Sequence, residues 1–273
     1  VRTLVGQCPD WSRVIAGSDH NFVTLLLLRH LRSSCAEQVP RTVLQALAAR
    51  QMLITARALE ILRLQRQIVN DVLSPLRCGY AFVKGATLSQ QIYGMPSLRQ
   101  YRDLDILIDA EKMGSVGAEL ISRGFRIKNR SWPDFLSGNL AAYCRCVSAL
   151  ELASPSGIIV ELHRRLDNSG CVFNSRKLLA ESVQLKLAQD TFQVLPPATL
   201  FVYLCFHHSR HHWERLHWCA DIAAFRSFLG GDLVDVRRVA RRLGLSRTVD
   251  EAWKLGRDLD ELACTGAVSD GNE

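Results

Sequence analysis

Two carboxylates one residue apart, Asp103 and Asp105, open an apolar run that extends to residue 108. Residues i and i+2 of a β-strand project from the same face, so both side chains can approach one or two hard cations. Leu104 then points to the opposite face, towards a core. The pattern suits Mg²⁺-assisted phosphoryl chemistry, although an Asp-x-Asp pair at a strand edge also occurs as a solvated loop end.

A third acid, Glu161, lies late in a second apolar run, between Val160 and Leu162. An ionised carboxylate in such a run is costly to bury without a partner or a metal ion. We therefore expect Glu161 to join the aspartate pair in one metal-binding shell. His163 follows on the same face of this strand and is a candidate for orienting the substrate.

Cationic and glycine residues upstream of the acids can bind phosphate. Gly85 precedes a predicted helix, where a phosphate can approach the backbone N–H groups, and Thr87 adds a hydroxyl. Lys84 can neutralise a phosphate, and Arg99 or Arg102 can hold a triphosphate with a planar guanidinium fork. The alternatives are a plain strand-to-helix turn for Gly85 and a solvated surface for the arginines.

Four histidines lie on one predicted helix, at positions 207, 208, 211 and 212. Their i, i+4 spacing can bind zinc, but the Glu that follows the first His in metalloprotease helices is missing. We interpret the cluster as structural or substrate-orienting, with His208 and His212 as candidates for substrate contact. Asp221, on the next helix, can accept a hydrogen bond from an imidazole or an arginine. A zinc hydrolase built on this cluster is the weaker alternative.

Helices and short strands must position these groups. Helical spacing is found at 21–31, 42–72, 87–93, 111–123, 198–211, 214–229, 233–243 and 247–262. Strand patterns are found at 80–83, 104–108, 125–128, 143–152 and 158–162, with 154–157 as a hairpin turn. The chain thus divides into an N-terminal helical region (1–78), an α/β core (79–195) and a C-terminal helical region (196–273).

Composition narrows the class of protein. The chain has 273 residues, 48% of them apolar, and a formal net charge of +7, which mildly favours anionic ligands. Nine cysteines without regular zinc spacing indicate reduced thiols in a cytoplasmic protein. The apolar run at 22–28 is far shorter than a membrane span, so we expect neither secretion nor membrane insertion.

The order of these motifs resembles the nucleotidyltransferase superfamily typified by DNA polymerase beta. It is most similar to a bacterial branch that combines a KG…Y…R…D-x-D segment with a downstream Glu-x-His strand and a histidine-rich helix. The resemblance covers roughly 80–225, and the conjunction is more specific than any single motif. The chain departs from the wider superfamily at Lys84-Gly85, where relatives carry Gly-Ser, and at Arg102, where relatives often carry a small residue.

The resemblance implies an α+β fold, with a small mixed β-sheet flanked by the N-terminal and C-terminal helices. It also implies that Asp103, Asp105 and Glu161 bind Mg²⁺ or Mn²⁺ and catalyse transfer of a nucleoside monophosphate from ATP or another nucleoside triphosphate. The acceptor would be a hydroxyl of a small molecule, a peptide, a protein or a tRNA. No aromatic and basic platform indicates RNA binding.

A non-catalytic module that binds a nucleotide or a protein on the same fold is the alternative function. Three idle carboxylates argue against it, because buried like charges repel each other and reduce stability.

Overall fold

The computed structural model describes residues 5, 6, 8, 10–128 and 139–265. The chain forms two compact units. The helical unit comprises Val1–Ala56, Gln91–Gln100 and Phe201–Glu273, and the sheet unit comprises Arg57–Gln90 and Tyr101–Leu200. The division into regions 1–78, 79–195 and 196–273 stays a prediction, because compactness alone does not define a domain boundary.

Helices account for most of the regular structure described. They are α1 (Trp11–His20), α2 (Thr24–Ser34), α3 (Arg41–Ile68), α4 (Gly85–Tyr93), α5 (Met113–Ser122), α6 (Leu140–Cys146), α7 (Ser175–Ala180), α8 (Pro197–Arg210), α9 (Leu216–Phe228), α10 (Val234–Leu243) and α11 (Ser246–Thr265). None of these described helices combines the length and the apolar character needed to cross a lipid bilayer.

The long helix predicted at 42–72 is confirmed as α3 and a π-helical continuation at Val69–Leu73. Helix α1 was not predicted from the sequence. The side chain of Asp10 caps its N-terminus by accepting hydrogen bonds from the backbone N–H groups of Ser12 and Arg13. The helix predicted at 21–31 begins later, as α2.

The sheet unit is built on one seven-stranded mixed sheet with strand order β3-β4-β5-β2-β1-β7-β6. Its strands are β1 (Tyr80–Phe82), β2 (Asp103–Ile108), β3 (Arg126–Ile127), β4 (Ala149–Ala153), β5 (Ile159–His163), β6 (Val183–Leu187) and β7 (Asp190–Val194). Strand β2 pairs with β5 in parallel, and β4 pairs with β5 antiparallel through the predicted hairpin turn. The predicted α+β class with a mixed sheet is confirmed.

Strands β2 and β5 direct alternate residues to opposite faces of the sheet, and one of these faces is wholly apolar. On the other face, Leu107 of β2 is also buried, beside Asp105. Leu104, Ile106 and Ile108 of β2, and Val160 and Leu162 of β5, belong to the main hydrophobic cluster of the sheet unit. The residues between them therefore project from the opposite face, where the acidic residues lie. Burial of one face fixes the register, because a slip of one residue would place the acids in the core.

The strand predicted at 143–152 is wrong in its first part, which is the helix α6. The side chain of Asn139 accepts a hydrogen bond from Ala142 N and caps the helix. Tyr143 and Cys144 are then buried against the core of the sheet unit. The strand β4 begins only at Ala149 because local capping and packing outweigh the β-propensity of this segment.

A second hairpin, formed by β6 and β7, was missed by the sequence reasoning. Leu187 pairs with Asp190, so Ala188 and Gln189 form a two-residue loop. Ala188 adopts a positive φ of 55°. Tight hairpin loops of this kind are usually signalled by Gly or Asn, and neither is present here.

The helix α6 predicts opposite chemical behaviour for two neighbouring cysteines. Helical geometry places residues i and i+2 about 200° apart around the axis, and Cys144 is accordingly buried whereas Cys146 is exposed. Burial raises the pKa of the Cys144 thiol to about 11, so little thiolate forms at pH 8. We expect iodoacetamide to alkylate Cys146 at pH 8 and to leave Cys144 unmodified, as measured by peptide mass spectrometry.

The matched control is the same reaction in denaturant, where both thiols should react. Equal labelling of the two cysteines in the native protein would contradict the helix, since a strand would place both side chains on one face.

Candidate active site

The parallel pairing of β2 with β5 brings two of the predicted acids together. Asp105 pairs with Glu161 in the strand register, and Asp103 pairs with Ile159. Directly paired residues project from the same face of the sheet. Sequence reasoning placed Glu161 in the same shell as the aspartates, and the register supplies the reason for the proximity of Glu161 to Asp105.

A histidine completes this group. His163 Nε2 lies 3.1 Å from Asp105 Oδ1 and 3.4 Å from Glu161 Oε2. One ligand atom from each of the three residues lies within 4.8 Å of the others. The side chains are 3%, 34% and 14% exposed for Asp105, Glu161 and His163, respectively. We call Asp105, Glu161 and His163 the acidic triad.

Lys84 supplies a positive charge beside the triad. Its Nζ atom lies 3.2 Å from Asp105 Oδ1, and its side chain is 15% exposed. The same carboxylate oxygen therefore contacts both Lys84 and His163. Such charge-assisted contacts offset part of the cost of burying the Asp105 carboxylate.

The environment of His163 favours its protonated form. Burial by itself lowers the pKa of this imidazole, but hydrogen bonds to Asp105 and Glu161 and their negative charges outweigh burial. Together these effects raise the pKa of His163 to about 9. Without a metal ion, two cationic side chains thus balance the two carboxylates of the triad at neutral pH.

The glycine turn lies close to the start of β2. Gly85 has a φ of 68°, which an L-residue rarely adopts, and an added Cβ would lie 3.8 Å from the carbonyl oxygen of Asp103. Thr87 is buried, and its hydroxyl donates a hydrogen bond of 2.9 Å to the carbonyl of Lys84. The hydroxyl of Thr87, in the first turn of α4, therefore stabilises the glycine turn.

Two other predicted residues, Arg102 and Asp103, come just before Asp105 in the sequence. Asp103 is half-buried at the first position of β2, and Arg102 is exposed. Within residues 5, 6, 8, 10–128 and 139–265, the group placed to hold a metal contains Asp105, Glu161 and His163, and Asp103 lies outside it. The predicted metal-binding role of Asp103 stays a prediction.

Sequence reasoning did not single out Glu151, which pairs with Glu161 across the antiparallel β4–β5 ladder. Three acids therefore follow one another across β4, β5 and β2. Like charges directly opposite in a ladder are destabilising unless a cation or a hydrogen bond compensates them. The alternation of β4, with Leu150 and Leu152 buried on either side of Glu151, was the available signal.

The remaining predicted residues belong to the helical unit. Arg99 Nε donates hydrogen bonds of 3.0 and 2.8 Å to the two carboxylate oxygens of Asp221. The two side chains are 5% and 0% exposed. Tyr93 also donates to Asp221, over 3.4 Å. Burial and the nearby Asp221 charge raise the pKa of the Tyr93 phenol well above its usual range.

The histidine cluster packs against tryptophan. The buried ring of His208 stacks on Trp218 at 5.4 Å with an interplanar angle of 15°, and its Nε2 lies 4.0 Å from Asp221 Oδ2. His212 is exposed and has a positive φ of 51°. Over the part of the chain that the structure describes, the cluster contributes to no group of three metal ligands. Its predicted role in orienting the substrate stays a prediction.

The model of a family described as "Uncharacterised nucleotidyltransferase" matches residues 7–259. The chain belongs to this nucleotidyltransferase family. The family resemblance read from the motifs is thereby confirmed, whereas the bacterial branch stays a prediction.

One similar solved structure is an antigenic nucleotidyltransferase-like protein from Paracoccidioides brasiliensis, which is 14% identical. The match covers 74% of this chain and 92% of that chain, with a TM-score of 0.35. A search of curated proteins finds no match.

The buried Arg99–Asp221 pair yields a prediction for stability. Asp221→Asn removes the carboxylate charge that pairs with the buried Arg99 guanidinium, so we expect the free energy of unfolding to fall by about 3–5 kcal/mol. Urea unfolding followed by circular dichroism measures this change. The control is Asp235→Asn, which removes a pair with Arg238 in which both side chains are 72% exposed. Equal small losses in the two variants would contradict the buried pair.

Proposed function

We propose that the protein is a metal-dependent nucleotidyltransferase that transfers a nucleoside monophosphate from a nucleoside triphosphate to a hydroxyl acceptor. The observation that carries the proposal is the acidic triad, formed on adjacent parallel strands in a member of a nucleotidyltransferase family. Carboxylates and an imidazole within 4.8 Å of one another are a donor set suited to a divalent ion.

Asp105 and Glu161 would hold the ion, with Asp103 as the further ligand expected from the sequence. The ion is Mg²⁺ or Mn²⁺ on the family resemblance. When bound, such an ion neutralises the triphosphate charge and polarises the α-phosphoryl group.

The transfer requires a base near the acceptor. The acceptor oxygen forms a bond to the α-phosphorus while the bond from that phosphorus to the pyrophosphate oxygen breaks. The hydroxyl proton passes to a carboxylate, and Glu161 is our choice because it is the most exposed member of the triad. The products are a nucleoside monophosphate ester and pyrophosphate.

Phosphate binding is assigned to Lys84, Gly85, Thr87, Arg99 and Arg102, as the sequence predicts. Lys84 is partly exposed beside Asp105, and Arg102 is exposed just before β2. Thr87 is buried and its hydroxyl donates to the Lys84 carbonyl, whereas Arg99 is buried and donates to Asp221.

The proposed acceptor is a hydroxyl of a small molecule, a peptide, a protein or a tRNA. A preference for ATP and a cytoplasmic location also stay predictions.

The test is incorporation of label from α-³²P-labelled nucleoside triphosphates into candidate acceptors in the presence of Mg²⁺ or Mn²⁺. We expect Asp105→Asn to reduce incorporation at least about a hundredfold, because ion binding supplies several kcal/mol of transition-state stabilisation. Glu111→Gln, an acid of the same unit that is 86% exposed, is the matched control and should retain activity. Melting curves verify that both variants fold.

Equal incorporation by the wild-type protein and Asp105→Asn would contradict the proposal. Nucleotide binding measured by calorimetry without turnover would favour the alternative, a non-catalytic binding module. That alternative rests on the contacts of Asp105 with Lys84 and His163, because these two side chains can compensate the Asp105 charge without a metal ion.

A further inference from the structure

We propose that His163 is a direct ligand of the divalent ion, and that the site consequently prefers a first-row transition ion such as Mn²⁺ over Mg²⁺. The inference rests on the proposed function, because it takes the ion site to be the one used in nucleotidyl transfer. It assigns His163 a role different from the substrate-orienting role expected from the sequence.

The distances between the donor atoms of the triad match those between neighbouring ligands of one metal ion. Around an ion with bonds of about 2.1 Å, neighbouring donors lie about 3.0 Å apart in an octahedron and about 3.4 Å apart in a tetrahedron. His163 Nε2 lies 3.1 and 3.4 Å from oxygens of Asp105 and Glu161. The imidazole nitrogen therefore stands at the distance of a neighbouring ligand from both carboxylates. It would bind the ion in its neutral form, releasing to solvent the proton that it holds in the metal-free protein.

The backbone holds these donors in place. Asp105 and Glu161 are paired in the β2–β5 register, and His163 is two residues beyond Glu161 on the same face. The alternating residues Val160 and Leu162 are fully buried in the core, which prevents rotation of β5. The site is thus organised by the sheet rather than by a loop, a condition for precise ligand geometry.

The types of donor atom in the triad favour Mn²⁺ over Mg²⁺. The triad offers two oxygens and one nitrogen, whereas Mg²⁺ favours an octahedral shell of oxygens and binds imidazole poorly. Lys84 contacts the same Asp105 oxygen and reduces the net negative charge. Ligand type rather than charge density then has the larger influence on which ion binds.

Calorimetric titration of the metal-free full chain with MgCl₂ or MnCl₂, without nucleotide, tests the inference. We expect the dissociation constant for Mn²⁺ to be at least about tenfold lower than that for Mg²⁺. His163→Gln should weaken Mn²⁺ binding at least about tenfold and change Mg²⁺ binding far less. The control is His30→Gln, an exposed histidine of α2, which should change neither constant.

Paramagnetic broadening of NMR signals by Mn²⁺ is a second test, and it uses the wild-type protein alone. Substoichiometric Mn²⁺ should broaden the His163 imidazole signal of the wild-type protein. An unbroadened His163 signal, equal affinity for the two ions, or no ion binding to the nucleotide-free protein would each overturn the inference.

The inference and the proposed function can fail separately. Mn²⁺ binding at His163 without transfer of any nucleotide would refute the function and leave the ion site intact. Mg²⁺-supported transfer that His163→Gln leaves unchanged would keep the function and refute the role of His163.

Discussion

Electrostatic compensation of Asp105 is the constraint on which the polar face of the sheet depends. This carboxylate is only 3% exposed, and an ion in such a position must be paired and hydrogen-bonded. Lys84 and His163 contact the same oxygen, and Glu161 stands at the paired position of the neighbouring strand.

The apolar face makes this arrangement reproducible. Ile106, Val160 and Leu162 are completely buried, and they alternate with the triad residues along β2 and β5. Burial of these side chains favours folding by about 1.5–3 kcal/mol each, and it fixes which residues project from the opposite face. The hydrophobic effect therefore fixes which side chains of β2 and β5 form the polar site.

The helical unit solves a similar problem with a different set of side chains. Asp221 is completely buried and accepts hydrogen bonds from Arg99 and Tyr93, while the ring of His208 lies nearby. Breaking a buried pair of this kind costs far more than breaking a surface pair. Arg99 and Asp221 are 122 residues apart in sequence, so the pair fastens the segment before β2 to α9.

Local periodicity and contiguous motifs were enough to predict the α+β class, the long helix α3, the Asp-x-Asp and Glu-x-His motifs and the family. The grouping of His163 with Asp105 and Glu161 within 4.8 Å of one another, and the pairing of Glu151 with Glu161, follow only from the strand register of the sheet. Tertiary structure also decided that Arg99 is buried against Asp221. The physical reason is that strand register and long-range ion pairs arise from packing between distant segments, which no local pattern encodes.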